Sequence, residues 1–254
     1  MSRIGLAAAL LALFLCGASA QQSTVTAFAA SSLTNALQEI DASFSKLTGI
    51  RIIPNFGATS VMAVRLRTFS AAAVFISANE EWMDYAEAHC RIDRSSRVDL
   101  LSNRLVLIAP KSSPIDTVVI AKGFDLAALA GDGRIAVADV HDVPAGIYAK
   151  SVLTSLGAWE AAQPKLIVAE NVRTALAIVA LGYVVSLGIV YETDAKVEPR
   201  VKIVGSFPES SAPQIKYAAA ATIASGRDTL NYLHFLRSLE AKTIFERYGF
   251  QYLE

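Results

Sequence analysis

Short apolar runs alternate along this chain with longer stretches in which apolar residues recur every three or four positions. Residues 74–77 and 105–109 have the length and composition of buried strands. The pattern predicts a first helix that begins at Ser32 and is ended by Gly49, and a last helical region over 228–248 that breaks near Glu240. A chain of 254 residues with this alternation is predicted to form α/β structure.

Two corners near the start of the chain combine small residues with hydroxyls. Residues 25–33 and 52–60 each indicate a buried strand, a small-residue turn and a helix capped by Ser or Thr. A helix start presents unpaired backbone N–H groups and the positive end of a dipole, so it can hold an anion without a cationic side chain. Neither corner contains Lys or Arg. The pair therefore predicts a pocket for a small oxyanion held by neutral donors.

Two later corners have the same character. Pro144 opens a helix where its missing N–H costs nothing, and Ala145 and Gly146 then let a ligand approach the backbone closely. A further strand gives way to a helix at Asn171, with the N–H of Val172 in its first turn. Four helix starts would converge on one ligand if two lobes faced each other.

The N-terminus is typical of an exported protein. A short cationic head with Arg3, an apolar run and the small residues at 18–20 predict a signal peptide, residues 1–20, cut after Ala20. Its removal takes one of the 23 basic residues and leaves 22 against 23 acidic ones. This balance argues against a nucleic-acid partner. The one remaining cysteine, Cys90, excludes an intramolecular disulfide.

Several segments, in order along the chain, resemble the periplasmic molybdate-binding proteins of ABC transporters, the ModA family. These segments are residues 28–34, 75–78, 82–86, 143–150, 172–173, 187–191 and 245–250. The resemblance implies a type II periplasmic-binding-protein fold, in which two α/β lobes enclose a ligand cleft. Lobe one would comprise 21–102 plus 205–254, and lobe two 103–204.

The resemblance also implies a function. A periplasmic solute-binding protein of this kind captures molybdate, and tungstate as well, and delivers it to the membrane permease of an ABC transporter. We expect a monomer that is not an enzyme and needs no cofactor. Molybdenum would be bound as the oxyanion and not as a free metal cation.

Carried over position by position, the ligand-binding residues are Ser32, Thr59, Ala145, Val172 and Tyr191. Ser32 and Thr59 would donate hydroxyls, Ala145 and Val172 backbone N–H groups, and Tyr191 its phenol. The first four lie at the corners described above, whereas Tyr191 rests on the resemblance alone.

Two neighbouring residues are assigned other roles. We expect Ser31 to act as a cap or behind the contacting residues. We expect Arg173 to form an ion pair, either solvated or between the lobes.

The sequence departs from the family pattern at three places. Thr59 replaces a serine but keeps its hydroxyl. Ala73 and Val74 precede Phe75 at a place where the family usually has an acidic residue. Residues 182–186 replace a stretch that is usually polar and acidic, which predicts either exposure of Tyr183 and Val184 or a changed start for the strand predicted over Leu187–Tyr191.

Three alternatives remain open at this point. The first is a binding protein for another small oxyanion such as sulfate, or for a ferric chelate or a small carboxylate. The second is a ligand-sensing regulatory domain of the same fold. The third is an exported serine hydrolase with Ser31 or Ser32 as nucleophile, which needs a histidine positioned by a carboxylate.

Overall fold

The computed structural model describes residues 22–69, 71–89, 91–211, 213–223 and 225–253. Helices and strands alternate through them, and the predicted α/β class is confirmed. The strands are β1 (Thr24–Ala30), β2 (Arg51–Gly57), β3 (Ala72–Ser77), β4 (Val98–Asn103), β5 (Leu105–Pro110), β6 (Arg134–Ala138), β7 (Leu166–Ala169), β8 (Val185–Tyr191), β9 (Val201–Ser206), β10 (Ile215–Ala221) and β11 (Gln251–Tyr252). The helices are α1 (Thr34–Thr48), α2 (Thr59–Arg65), α3 (Glu80–Ala88), α4 (Leu126–Ala130), α5 (Pro144–Ser155), α6 (Trp159–Ala162), α7 (Val172–Leu181), α8 (Glu192–Lys196), α9 (Arg227–Leu236) and α10 (Leu239–Arg247).

The strands form two separate sheets. The first sheet has the order β11-β4-β10-β3-β1-β2, and the second has the order β7-β6-β8-β5-β9. The chain passes from the first sheet to the second through Arg104, between β4 and β5, and returns between β9 and β10. The predicted lobe boundaries, after residues 102 and 204, fall near the ends of β4 and β9. They stay a prediction.

Six parallel strands direct their carboxyl ends toward one region. In the first sheet β1 pairs in parallel with β2 and β3, and in the second sheet β6 pairs in parallel with β7 and β8. Each of the six is followed by a helix or a short helical turn. The fold thus collects six strand-to-helix corners, which is where open α/β sheets bind ligands.

Helix α1 illustrates how the predicted apolar faces are buried. Leu37, Ile40 and Phe44 are almost fully inaccessible to solvent, and the Phe44 ring packs against the rings of Tyr232 and Phe235 on α9. Gly49 ends the helix in the left-handed conformation at φ 75°, which glycine adopts without a steric penalty. Truncation of a buried Phe such as Phe44 to Ala costs about 3–5 kcal/mol of stability.

Three local predictions differ from the structure. Ser32 lies in a 3₁₀ turn over Ser31–Leu33 that precedes α1, so the α-helix begins two residues later than predicted. The break predicted near Glu240 lies two positions earlier, at residues 237–238, because the Ser238 hydroxyl caps α10 by accepting from the amide of Ala241. Strand β4 is not among the predicted strands, although it pairs with both β10 and β11 in the first sheet.

The exposure predicted for Tyr183 and Val184 is present. Tyr183 and Val184 are 87% and 69% exposed, and β8 begins at Val185, two residues before the strand predicted at Leu187. The predicted signal peptide and Cys90 lie outside the described residues. Within the part of the chain that the structure describes, no helix has the length and apolarity needed to cross a bilayer.

A buried carboxyl on α1 makes the stability of the fold depend on pH. Asp41 is 7% exposed and accepts a hydrogen bond from the Tyr232 hydroxyl, while its second carboxyl oxygen has no partner among the described residues. Burial raises the pKa of Asp41 from 3.8 to about 7, and the bond from Tyr232 opposes this only in part. The folded state therefore binds a proton that the unfolded state releases between these two values.

We predict that Asp41→Asn removes this dependence. As the pH rises from about 4 to about 7, the wild type should lose free energy of unfolding relative to the variant, by an amount that approaches roughly 4 kcal/mol. Urea unfolding at several pH values measures the difference. Asp116→Asn, at an exposed position, is the control, and parallel pH profiles for wild type and Asp41→Asn would contradict the assignment.

Candidate ligand-binding site

A small cavity lies between the two sheets, at the carboxyl ends of the six parallel strands. Its volume is about 10 Å³, close to the room that one water molecule needs. Its lining includes all five residues predicted to bind ligand, Ser32, Thr59, Ala145, Val172 and Tyr191. The remaining lining residues are Ala30, Ser31, Gly57, Ala58, Ala78, Val143 and Pro144. Both sheets therefore contribute to one small hollow, which is partly open to solvent.

The hydroxyls of Ser32 and Thr59 are supplied from the first sheet. Both residues are 2% exposed, and neither caps its helix, since α1 and α2 have no side-chain cap. The predicted capping role is therefore wrong. Ser32 Oγ lies 2.9 Å from the hydroxyl of Tyr217 instead, and Thr59 Oγ1 accepts from the amide of Ala78 at 3.3 Å. The bond to Ala78 uses an oxygen lone pair, which leaves the Thr59 hydrogen available for a ligand.

Two helix starts face the cavity from the second sheet. Ala145 follows Pro144 in the first turn of α5, and Val172 is the first residue of α7. The Asn171 side chain caps α7 by accepting from the amides of Arg173 and Thr174, so the cap does not use the amide of Val172. Both helices thus direct the positive ends of their dipoles toward the hollow.

The fifth residue, Tyr191, ends β8 with a buried hydroxyl. That hydroxyl has no hydrogen-bond partner among the described residues, although the Tyr191 ring meets the Tyr217 ring edge-on at 6.0 Å between centroids. Burial, reinforced by the nearby Tyr217, raises the pKa of Tyr191 well above 10. The phenol is therefore a neutral donor. An unpaired buried hydroxyl costs about 1–3 kcal/mol, and a ligand that accepts its hydrogen bond would remove this penalty.

No charged side chain is found among the described residues that line the cavity. The neighbouring cation, Arg173, donates hydrogen bonds to other protein groups through all three of its guanidinium nitrogens. Its Nε donates to the fully buried Asp194 at 2.5 Å, and its two terminal nitrogens donate to Asn35 Oδ1 at 2.6 Å and to the Ser32 carbonyl at 3.1 Å. Arg173 thus forms the predicted ion pair, but the predicted setting is wrong: its partner Asp194 is fully buried and belongs to the same half of the molecule. Only the hydrogen bonds to Asn35 and to the Ser32 carbonyl reach the other half.

Two residues of the site had not been predicted. Ala78 lines the cavity where β3 ends, and its small side chain after a buried strand repeats the pattern of the other corners. Tyr217 contacts Ser32 from β10, 185 positions along the chain, and no local signal marks it in the sequence.

Neither a metal cluster nor a catalytic triad is apparent in the described ranges. They contain no group of three His, Cys, Asp or Glu residues that could hold a metal ion. The hydroxyl of Ser32 contacts a tyrosine where a serine nucleophile would need a histidine. The hydroxyl and amide groups of the lining are hydrogen-bond donors.

Comparison with known proteins shows the family of the chain. The model of the family described as bacterial extracellular solute-binding protein matches residues 25–251. The molybdate-binding protein ModA of Escherichia coli strain K12 is 41% identical over 232 residues, which are 91% of this chain and 90% of that protein. The ModA protein of Haemophilus influenzae is 37% identical over 236 residues, 91% of each chain.

A solved structure supports the same fold. The periplasmic molybdate-binding protein of Azotobacter vinelandii superposes with a TM-score of 0.76, at 22% identity, over 91% of this chain and 99% of that one. The predicted type II periplasmic-binding fold is confirmed. The predicted resemblance to the ModA family is confirmed as well.

The first turn of α5 tests how tightly the cavity is built. A Cβ on Gly146 would lie 2.1 Å from the carbonyl oxygen of Asp139 and 2.3 Å from that of Ala138. We predict that Gly146→Ala lowers the free energy of unfolding by about 1–3 kcal/mol or more, since backbone must move to admit the methyl group. Chemical denaturation measures the loss. Gly226→Ala, where a Cβ meets nothing within 4 Å, is the matched control, and equal stability of the two variants would contradict the packing argument.

Proposed function

We infer the function from the family to which the chain belongs, the ModA molybdate-binding proteins within the bacterial extracellular solute-binding proteins. We propose that the protein binds molybdate in the cavity between its two sheets and delivers it to the membrane permease of an ABC transporter. The observation that carries the proposal is the convergence of Ser32, Thr59, Ala145, Val172 and Tyr191 on one hollow with a neutral lining.

Neutral donors suit a dianion in a dry cavity. Each hydroxyl or amide directs a partial positive charge at an oxyanion oxygen, and low local polarity strengthens every such bond. Hydrogen bonds to a charged acceptor contribute about 1.5–3 kcal/mol each, roughly twice the neutral value. Five donors of this kind can therefore replace the hydration shell that the anion loses.

The same donors provide selectivity. A protonated oxyanion such as hydrogen phosphate brings a donor of its own, and the lining offers donors at each of the five positions. A buried donor facing another donor leaves both unpaired, which disfavours that ligand. Fixed donor spacing further favours the larger tetrahedral anions molybdate and tungstate over sulfate.

The proposal includes an exported protein made of two lobes. Residues 1–20 act as a signal peptide that is cut after Ala20, and the mature protein works in the periplasm as a monomer without catalytic activity. Residues 21–102 plus 205–254 form lobe one, and residues 103–204 form lobe two. The two sheets, joined through Arg104 and through the segment between β9 and β10, support this division.

The lobes close around the ligand by moving about these two connections. Contacts on two sides hold the closed arrangement: Arg173 donates to Asn35 and to the Ser32 carbonyl, and Trp82 Nε1 donates to the Asp142 carbonyl at 2.7 Å. A bound anion accepts further hydrogen bonds from donors of both lobes, so binding favours closure.

Titration of the purified protein with molybdate, tungstate, sulfate and phosphate tests the function. We expect molybdate and tungstate to bind tighter than sulfate and phosphate by on the order of a hundredfold, the effect of one or two misplaced charged hydrogen bonds. Isothermal calorimetry and native mass spectrometry give the affinities and the stoichiometry. Equal affinity for the four anions would refute the selectivity, and tighter binding of sulfate would favour the alternative oxyanion.

Tyr191→Phe separates ligand binding from stability. The lost hydroxyl has no partner in the ligand-free protein, so we predict unchanged or higher stability together with roughly ten- to a hundredfold weaker molybdate binding. Tyr232→Phe is the matched control, because the Tyr232 hydroxyl is buried and bonded to Asp41, away from the cavity. This control should lose stability and keep its affinity. Unimpaired molybdate binding by Tyr191→Phe would remove Tyr191 from the site.

A further inference from the structure

A chain of three buried polar side chains stands behind one wall of the cavity. Asn103 Nδ2 lies 3.3 Å from the Tyr217 hydroxyl, which in turn lies 2.9 Å from Ser32 Oγ. Asn103 is 8% exposed, Tyr217 is fully buried and Ser32 is 2% exposed. Of the three, only Ser32 lines the cavity.

The orientation of the Asn103 amide fixes the first bond. Its oxygen accepts from the amide of Arg104 at 2.9 Å, so its nitrogen faces Tyr217 and also reaches Thr193 Oγ1 at 2.9 Å. An amide nitrogen can only donate. The oxygen of Tyr217 is therefore an acceptor in its bond with Asn103.

The first bond favours one direction for the second. Either hydroxyl can donate in the bond between Tyr217 and Ser32, but Tyr217 already accepts from Asn103 and has one hydrogen to donate, for which Ser32 Oγ is an acceptor at 2.9 Å. Burial, reinforced by the charge of Asp194, raises the pKa of Tyr217 above 10 and keeps the phenol protonated at neutral pH. Ser32 then accepts from Tyr217 and has its own hydrogen left for the cavity.

We propose that Tyr217 is a positioning residue which, through Ser32, makes the site accept unprotonated oxyanions and reject protonated ones. The proposal rests on the proposed function. Without the bond from Tyr217, the Ser32 hydroxyl can rotate and point an oxygen lone pair at the ligand. That lone pair repels a dianion but accepts a hydrogen bond from the O–H group of a protonated oxyanion. The bond from Tyr217 occupies that lone pair and leaves only donation toward the ligand.

Tyr217→Phe removes the hydroxyl and keeps the ring, which packs edge-on against Tyr191 and Phe250. We expect molybdate to bind about fivefold more weakly, the loss of one net hydrogen bond. Phosphate, measured at pH 6 where dihydrogen phosphate predominates, should bind as well as before or better. The preference for molybdate over phosphate should therefore narrow by at least the same factor.

A double-mutant cycle with Ser32→Ala separates this role from a purely structural one. If Tyr217 acts through Ser32, the second substitution should cost no further molybdate affinity in the Ser32→Ala background. Tyr232→Phe, another buried tyrosine outside the cavity, should lose stability but leave the anion preference unchanged. Additive losses in the cycle, or an unchanged preference in Tyr217→Phe, would overturn the proposal.

Neutron diffraction of the ligand-free wild type tests the polarity without any ligand. A deuteron bonded to the Tyr217 oxygen and directed at Ser32 Oγ supports the proposal, and a deuteron on Ser32 directed at Tyr217 overturns it. Failure of the wild type to bind molybdate would refute the proposed function alone, since the neutron map decides the polarity independently.

Discussion

A dianion held without lysine or arginine requires every nearby donor to point at it. One donor turned away, or one lone pair turned inward, costs a substantial part of the binding free energy, because little water remains to compensate. The fold meets this requirement by ending six parallel strands at the same hollow. The helix starts then supply backbone N–H groups that point into the hollow. The backbone fixes the direction of each N–H bond, so it changes little when side chains move.

The absence of charge from the described lining also explains the arrangement around Arg173. This guanidinium lies one residue after Val172, yet it donates to Asp194, Asn35 and the Ser32 carbonyl. The carboxylate of Asp194 is fully buried and balances the cation locally. The pair therefore presents little net charge to the cavity, and recognition is left to directional bonds.

The corners of the site could be predicted from sequence because each is a local pattern. A buried strand, small residues and a helix start occupy about nine consecutive positions, and Ser32, Thr59, Ala145 and Val172 were found in this way. The details of capping were not predictable, since a serine near a helix start can cap the helix or face a ligand. The structure decides between these roles through a distant partner, Tyr217, which bonds the Ser32 hydroxyl.

Tertiary contacts account for what the sequence did not reveal. Tyr191 was identified through the family resemblance alone, because a tyrosine at the end of an apolar strand usually belongs to the core. The sequence does not predict strand β4, because residues 98–103 mix apolar with polar side chains. Such a mixture is expected for a strand that leads out of one sheet toward the other. The unpaired Tyr191 hydroxyl becomes visible only when its surroundings are folded.

The bond from Arg173 to the carbonyl of Ser32 has a mechanical consequence. Under the proposed function, Ser32 donates its hydroxyl to the ligand while its carbonyl accepts a hydrogen bond from Arg173 in the opposite half of the molecule. Separation of the halves would break this bond in the same movement that withdraws Ala145 and Val172 from the hollow. Release of the ligand and loss of the contact between the halves would then be one coupled event.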